Sequence, residues 1–225
     1  MKKILYVVMA GAVMLASCGG AEGDKAEVKD QQEVATQSGE TYTIDQNETS
    51  LKWKAYHKGG FAPRFGTINA QGTVSVENGA VVAGSVSIDM NSLVVDPTSI
   101  GEDEAKEGKK ASGLEADLKS DNFFSVANHP TATFEITSVG ALDNNASTVV
   151  EGATNTVSGN LTIKGKTVNV TFPAKIEVAD EAVTVYSKFS INRDDWGLTY
   201  GTDGDPKDWG IAREVDIELN VKAKK

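Results

Sequence analysis

The chain has 225 residues, enough for one domain with appendages, and its 32 acidic against 22 basic residues give a net charge of −10. This acidity argues against a nucleic-acid partner, because phosphates would be repelled. The sequence has one cysteine and two histidines, and it lacks the motifs of metalloproteases, serine nucleophiles and phosphate-binding loops. We therefore expect no metal site and no enzymatic activity.

The amino terminus predicts export and lipid attachment. Lys2 and Lys3 precede an apolar run over residues 4–15 that is too short to span a bilayer. Small residues then lead to Cys18, as in a bacterial lipoprotein cleavage box. We expect residues 1–17 to be a signal peptide and Cys18 to be lipidated. The protein would then be a membrane-anchored lipoprotein of the cell envelope that faces the periplasm, with the outer membrane as one location.

Residues 18–40 contain no aromatic side chain and are rich in Gly, Ala, Glu, Asp, Lys and Gln. Such a segment buries too little apolar surface to offset the entropy lost on ordering. The sequence therefore predicts a flexible tether here, followed by a folded domain over residues 41–225.

Most of that domain alternates apolar and polar residues with the period of a β-strand. Asn78-Gly79 has the composition of a tight hairpin turn, and Lys164-Gly165 marks a second one. Pro173 cannot donate a ladder hydrogen bond, so we expect an edge or a bulge there. The predicted strands cover residues 41–45, 50–56, 64–77, 82–90, 131–139, 155–163, 167–178, 182–192 and 211–221.

These eight or nine strands predict an all-β fold, namely an extended eight-stranded up-and-down antiparallel barrel. A β-sandwich would alternate similarly, but the long in-phase strands favour the barrel. One helical pattern interrupts them: Ser112 and Glu115 have the spacing of a capping box, and Leu114 and Leu118 share one face. We expect one short helix ending near residue 121, placed like a lid.

The aromatic residues leave two interpretations open. Trp53, Phe134, Phe172 and Phe189 are in phase with aliphatic residues on the predicted inner face, and the pair Phe123-Phe124 follows the helix. They would form either a solid core or the wall of an apolar cavity. The acidic group Asp203, Asp205 and Asp208 lacks the spacing of a calcium loop, so no metal site is predicted there.

Several separated motifs carry a family resemblance. In chain order they are T-I-D from Thr43, W-K-A-Y-H ending at His57, L-K-S-D-N-F-F over residues 118–124, H-P-T-A-T-F over 129–134, G-N-L-T-I-K-G-K-T over 159–167 and I-N-R-D-D-W-G-L over 191–198. Their order and spacing resemble the YceI-like family of lipocalin-like, polyisoprenoid-binding periplasmic proteins. The loops over residues 59–65 and 201–208 depart from the family pattern.

The resemblance implies a lipocalin-like barrel that binds, sequesters or transports a long apolar isoprenoid or acyl lipid, such as a quinone or polyprenyl lipid, without another cofactor. His57 or Arg193 would lie near a polar headgroup; otherwise His57 would be a strand-end hydrogen-bonding group and Arg193 a partner of Asp194 or Asp195. The expected ligand-binding residues are Trp53, Phe123, Phe124, Phe134, Phe172, Phe189, His57 and Arg193.

Two other functions stay open at this point. One is an envelope structural or interaction lipoprotein with a filled barrel and no ligand. The other is a hydrolase or isomerase that uses His57 and His129. A homodimer is among the partners that the sequence leaves open.

Overall fold

The computed structural model describes residues 20–143, 145–202 and 210–225. The predicted signal peptide, the predicted lipidation site Cys18 and the acidic group Asp203, Asp205 and Asp208 lie outside these residues. Within the described ranges, no helix is both long and apolar enough to cross a membrane.

The strands confirm the predicted all-β fold. The strands are β1 Asp24–Lys25, β2 Glu27–Lys29, β3 Glu40–Ile44, β4 Ser50–His57, β5 Arg64–Glu77, β6 Ala80–Val95, β7 Thr131–Ala141, β8 Asn155–Ile163, β9 Lys166–Val178, β10 Ala182–Asn192 and β11 Ile211–Lys224. Consecutive long strands pair antiparallel from β4 to β11, and β11 closes the cylinder by pairing with β4, so that Leu219 lies opposite Leu51. The short β3 extends the β4 position and pairs with the same two neighbours, β5 and β11. The barrel therefore has eight strand positions.

The hairpin turns form where the sequence predicts them. Asn78 and Gly79 both have positive φ, 51° and 78°, as a tight two-residue turn requires, and Lys164 and Gly165 repeat this geometry at the β8–β9 turn. Pro173 pairs with Thr156 of β8, and it lies beyond Lys175, the last β9 residue that pairs with β10. Pro173 therefore has no partner in β10, so β9 has a local free edge at this point although the barrel is closed. The lack of a proline N–H removes no ladder hydrogen bond there.

The segment predicted as a flexible tether is instead held against the barrel. We call residues 20–38 the amino-terminal strap. The β9–β10 ladder ends at Lys175 and Tyr186, and the strap lies between the two strands beyond that point. There β1 pairs in parallel with β10 and β2 pairs antiparallel with β9.

Long-range polar contacts explain why a segment with so little apolar surface is ordered. Backbone N–H groups of Glu22 and Gly23 donate to the buried carboxylate of Asp216, each at 2.9 Å. Farther along, the Asn160 side chain accepts from Gln32 N–H at 3.0 Å and donates to Gln32 C=O at 2.7 Å, as a neighbouring strand would. Ala26 lies between these points, is 4% exposed and belongs to the main core. The missing strand pairing of β9 and β10 thus creates the site that the strap fills.

Two short helices, α1 Glu102–Lys106 and α2 Ala111–Lys119, connect β6 to β7. The predicted helix is α2, but the predicted capping box is wrong: Lys110 precedes the helix without a side-chain cap. The Glu115 carboxylate accepts instead from the N–H of Val95 at 2.9 Å, where β6 ends. This bond fastens α2 to the barrel, which explains why the carboxylate does not turn back to its own helix.

Candidate functional site

The barrel encloses a cavity of about 820 Å³. Its wall is almost wholly aliphatic and aromatic, because the inward-facing residues of β4–β11 alternate with polar residues outside. It runs from Ile44 near one end of the barrel to Leu114 and Leu118 of α2 at the other. A filled barrel, which was the alternative interpretation, does not fit this cavity. All eight residues expected to bind a ligand line the cavity: Trp53, His57, Phe123, Phe124, Phe134, Phe172, Phe189 and Arg193.

Three of the phenylalanines form one cluster across β7, β9 and β10. Phe172 stacks on Phe189 with 4.0 Å between ring centroids, and Phe134 lies 5.9 Å from Phe172. Gly159 of β8 makes room for this cluster, since a Cβ there would lie 2.2 Å from the Phe134 ring. The aromatic wall thus depends on a glycine in the neighbouring strand.

Trp53 of β4 lines the opposite part of the wall. A Cβ at Gly66 would approach the Trp53 ring to 3.0 Å and the Val94 carbonyl to 1.8 Å, so only glycine fits behind the indole. The Trp53 Nε1–H is buried without a hydrogen-bond partner among the described residues. Packing alone therefore holds the ring.

The α2 region covers the mouth of the cavity. Leu114 and Leu118 point into it, together with Phe123 and Phe124 from the turn that follows the helix. Phe123 also meets Tyr200, edge to face, with ring centroids 5.1 Å apart. The predicted lid thus lies over the cavity, in contact with the loop before β11.

An ion-pair group missed by the sequence reasoning fixes α1 beside the mouth. The Arg64 guanidinium donates to both carboxylate oxygens of Glu104 at 2.7 Å and to the Ser99 carbonyl at 2.8 Å. Lys109 adds a third bond to Glu104 at 3.1 Å. Burial opposes ionisation of Glu104, but the bonds from Lys109 and Arg64 outweigh it and lower its pKa. Arg64 and Glu104 are 40 residues apart, and no local pattern links them.

Arg193 does not pair with Asp194 or Asp195 as the alternative interpretation expected. Its guanidinium donates to the carbonyls of Leu198, Ala212 and Ile211 and to the Thr202 hydroxyl. Asp194 pairs with Arg213 instead, at 2.9 Å. Burial lowers the pKa of Arg193. This side chain fastens the loop before β11. A lipid headgroup could contact Arg193 only in addition to these hydrogen bonds.

The two histidines do not meet. His57 ends β4, where its Nδ1 lies 3.4 Å from the Ala62 carbonyl, and His129 lies beside Gly165 in the β8–β9 turn. Because β4 and β8 lie four positions apart in a ring of eight, these sites are on opposite sides of the barrel. The described residues also contain no metal-binding group of three or more His, Cys, Asp or Glu. A catalytic pair of histidines is thus not what the fold assembles.

The sequence reasoning missed a tryptophan of the cavity wall. Trp196, 2% exposed, lines the cavity, and its Nε1–H donates to the Leu161 carbonyl at 2.9 Å. The motif I-N-R-D-D-W-G-L contains it, but its loop position hid its inward orientation. Missed aliphatic wall residues include Met90, Leu93 and Ile100.

A closed eight-stranded antiparallel barrel around one apolar cavity defines a lipocalin-like binding fold. The sequence model of the YceI-like domain family matches residues 42–223, most of the chain. The protein therefore belongs to the YceI-like family, as the motifs indicate. The strap lies outside the matched range.

Solved structures share this fold at low sequence identity. BcnA of Burkholderia cenocepacia is 19% identical, with a TM-score of 0.56 over 80% of this chain and 99% of that one. A polyisoprenoid binding domain from Saccharophagus degradans is 15% identical, with a TM-score of 0.53 over 85% of this chain and 99% of that one. None of the curated proteins matches the chain.

Proposed function

We propose that the protein binds a long apolar lipid of the isoprenoid or acyl type inside its barrel and sequesters or carries it. The observation that carries this proposal is the apolar cavity of about 820 Å³, a volume within the usual range of small-molecule sites, roughly 300–1,000 Å³. The polyisoprenoid binding of the Saccharophagus degradans domain supports an isoprenoid such as a quinone or polyprenyl lipid.

The shape of the cavity favours a chain-like ligand. Because it follows the barrel axis from Ile44 to Leu118, an extended hydrocarbon would contact all the strands from β3 to β11. Each Å² of apolar ligand surface removed from water contributes about 25 cal/mol, so affinity would come mainly from the chain. The mouth offers the few polar partners, among them His57 and the Arg64–Glu104 pair.

We also propose that the protein acts at the cell envelope. Removal of residues 1–17 and lipid attachment at Cys18 would anchor it to a membrane with the barrel in the periplasm. An apolar lipid that leaves a membrane needs a protected environment, and a barrel held beside that membrane supplies it.

A pair of tryptophan substitutions tests the cargo. Ala55 lies in the cavity wall, whereas Ala80 is exposed in the β5–β6 hairpin. Ala55→Trp should lower the lipid extracted per mole of protein several-fold, and Ala80→Trp should leave it unchanged. Urea denaturation would establish that both variants fold, and Ala70→Trp offers a second wall position. Equal lipid content in all folded proteins would contradict binding in this cavity.

A further inference from the structure

The strap shortens the distance between the lipid anchor and the barrel. Glu22 is held by its N–H on Asp216 and by its carboxylate on Lys54 and Lys188, at 2.6 and 2.9 Å. Cys18 precedes Glu22 by four residues, which span at most about 14 Å. A flexible tether over residues 18–40 would have let the barrel move far from the membrane, whereas a link this short keeps the barrel close to it.

The point of attachment lies near the mouth of the cavity. Asp216 of β11 pairs with Lys54 of β4, and the same two strands end at the mouth with the pair Ile211 and His57. Lys54 and His57 are three residues apart, a rise of about 10 Å along a strand. Glu22 therefore lies about 10 Å along the strand from the mouth, which is less than the span of the four residues that link it to Cys18.

The loops at that end of β4 and β11 are joined and carry exposed aromatic rings. Lys58 N–H donates to the Gly210 carbonyl at 2.6 Å, and Ile211 N–H donates to the Gly201 carbonyl at 2.9 Å. Phe61 is 65% exposed on one loop, and Tyr200 is 50% exposed on the other. No other aromatic residue in the described part of the chain is comparably exposed. We call the described loop residues 58–61 and 199–202, which carry Phe61 and Tyr200, the aromatic rim.

We propose that the aromatic rim docks on a zwitterionic lipid surface, so that the cavity mouth faces the membrane to which Cys18 anchors the chain. This inference rests on the proposed lipid anchor and lipid cargo. Aromatic rings partition to the membrane interface, where their apolar bodies are buried near the headgroups. The net charge of −10 argues against an anionic surface. Docking would let a lipid pass between bilayer and cavity along a dry path, since Tyr200 contacts Phe123 of the cavity wall.

Quenching by spin-labelled lipid tests the orientation in the full, lipidated protein. Once Cys18 is lipidated, an introduced cysteine is the one free thiol, because the sequence has a single cysteine. Fluorophores at Phe61→Cys, Tyr200→Cys and Ala80→Cys would be compared in phosphatidylcholine–phosphatidylethanolamine vesicles. Ala80 is exposed in the β5–β6 hairpin, at the end of β5 opposite to the mouth. We expect several-fold stronger quenching at the two rim positions. Equal quenching at all three, or stronger quenching at Ala80→Cys, would overturn the proposal.

Lipid transfer supplies a second measurement. The double variant Phe61→Ser, Tyr200→Ser should take up a fluorescent isoprenoid from vesicles roughly ten-fold more slowly than Ala80→Ser. The two half-exposed rings together would bury about as much apolar surface as one fully buried aromatic side chain, and this contact is lost. The amount bound at equilibrium should be unchanged, and equal rates would count against docking. Native mass spectrometry separates the premises: a protein without lipid on Cys18 would overturn the docking proposal. A protein without cargo but with the expected quenching pattern would support docking and contradict the proposed function.

Discussion

Phe172 of β9 and Phe189 of β10 stack with their ring planes 4° apart, at the level where the two strands no longer share backbone hydrogen bonds. Outside the barrel, Gly23 of the strap crosses the backbone of Phe189 so closely that a Cβ would lie 2.5 Å from its carbonyl carbon. The stretch of wall where β9 and β10 are not paired is thus closed by aromatic rings on the inside and by the strap on the outside.

Phe189→Ala should therefore be costly. Removing this ring takes away the stack with Phe172 and leaves a space in the core, so we expect the free energy of unfolding to fall by about 3 kcal/mol. Urea denaturation measures the loss. Phe61→Ala is the matched control, because that ring is largely exposed and should change stability by less than about 0.5 kcal/mol. Similar costs for the two variants would contradict a closing role for the stack.

Asp216 should control the order of the strap. It is 3% exposed and accepts hydrogen bonds from Glu22 N–H, Gly23 N–H and the Tyr56 hydroxyl. Asp216→Ala leaves these donors without an acceptor, which should cost about 2 kcal/mol. Hydrogen exchange over residues 22–29 should accelerate.

Glu218→Ala on the same strand is the control for Asp216→Ala. Its ion pair with Lys52 is exposed, and such pairs contribute less than about 1 kcal/mol. Unchanged protection of residues 22–29 in Asp216→Ala would show that strand pairing with β9 and β10 suffices to hold the strap.

The strap should also loosen in acid. Hydrogen bonds from Lys54 and Lys188 lower the pKa of Glu22 from 4.5 to about 2. Because the pKa in the folded state is depressed, the stabilisation is complete above about pH 5 and is lost as the pH falls toward 2. Glu22 is half exposed, so its contribution should not exceed about 1 kcal/mol. The stability difference between wild type and Glu22→Gln should shrink across this range, and a constant difference would contradict the assignment.

Gly159→Ala should narrow the cavity. The added Cβ would meet the Phe134 ring at 2.2 Å and the Glu135 carbonyl at 2.9 Å, so the ring has to move into the cavity. We expect a loss of stability of about 2 kcal/mol and a lower lipid content. Gly140→Ala in β7 is the control, since a Cβ there meets nothing within 4 Å. A cavity that holds as much lipid in Gly159→Ala as in Gly140→Ala would contradict this role of Phe134.

The sequence predicts the barrel because apolar and polar residues alternate along each strand, and this alternation identifies the inward face of that strand. Val168, Val170 and Phe172 alternate along β9, and the cavity-lining residues follow from that alternation. Asn78-Gly79 likewise fixes a hairpin from two adjacent residues. Local patterns of this kind are independent of the rest of the fold.

The missed features depend on residues far apart in the chain. Ala26 is buried only because β9 and β10 separate, some 150 residues later, and nothing near Ala26 signals this gap. Glu115 has the spacing of a capping residue, yet its carboxylate accepts a hydrogen bond from the N–H of Val95 instead. Alternation also cannot show whether inward rings meet, so the sequence leaves open whether they form a solid core or the wall of a cavity.

Native mass spectrometry of the protein exported to a bacterial periplasm and purified without detergent tests the central claim most directly. Lipid binding in the cavity predicts one stoichiometric adduct, which organic solvent extracts as a polyprenyl or acyl lipid and which Ala55→Trp diminishes. A mass without adduct, together with no uptake of added quinone or polyprenol, would contradict a lipid carrier.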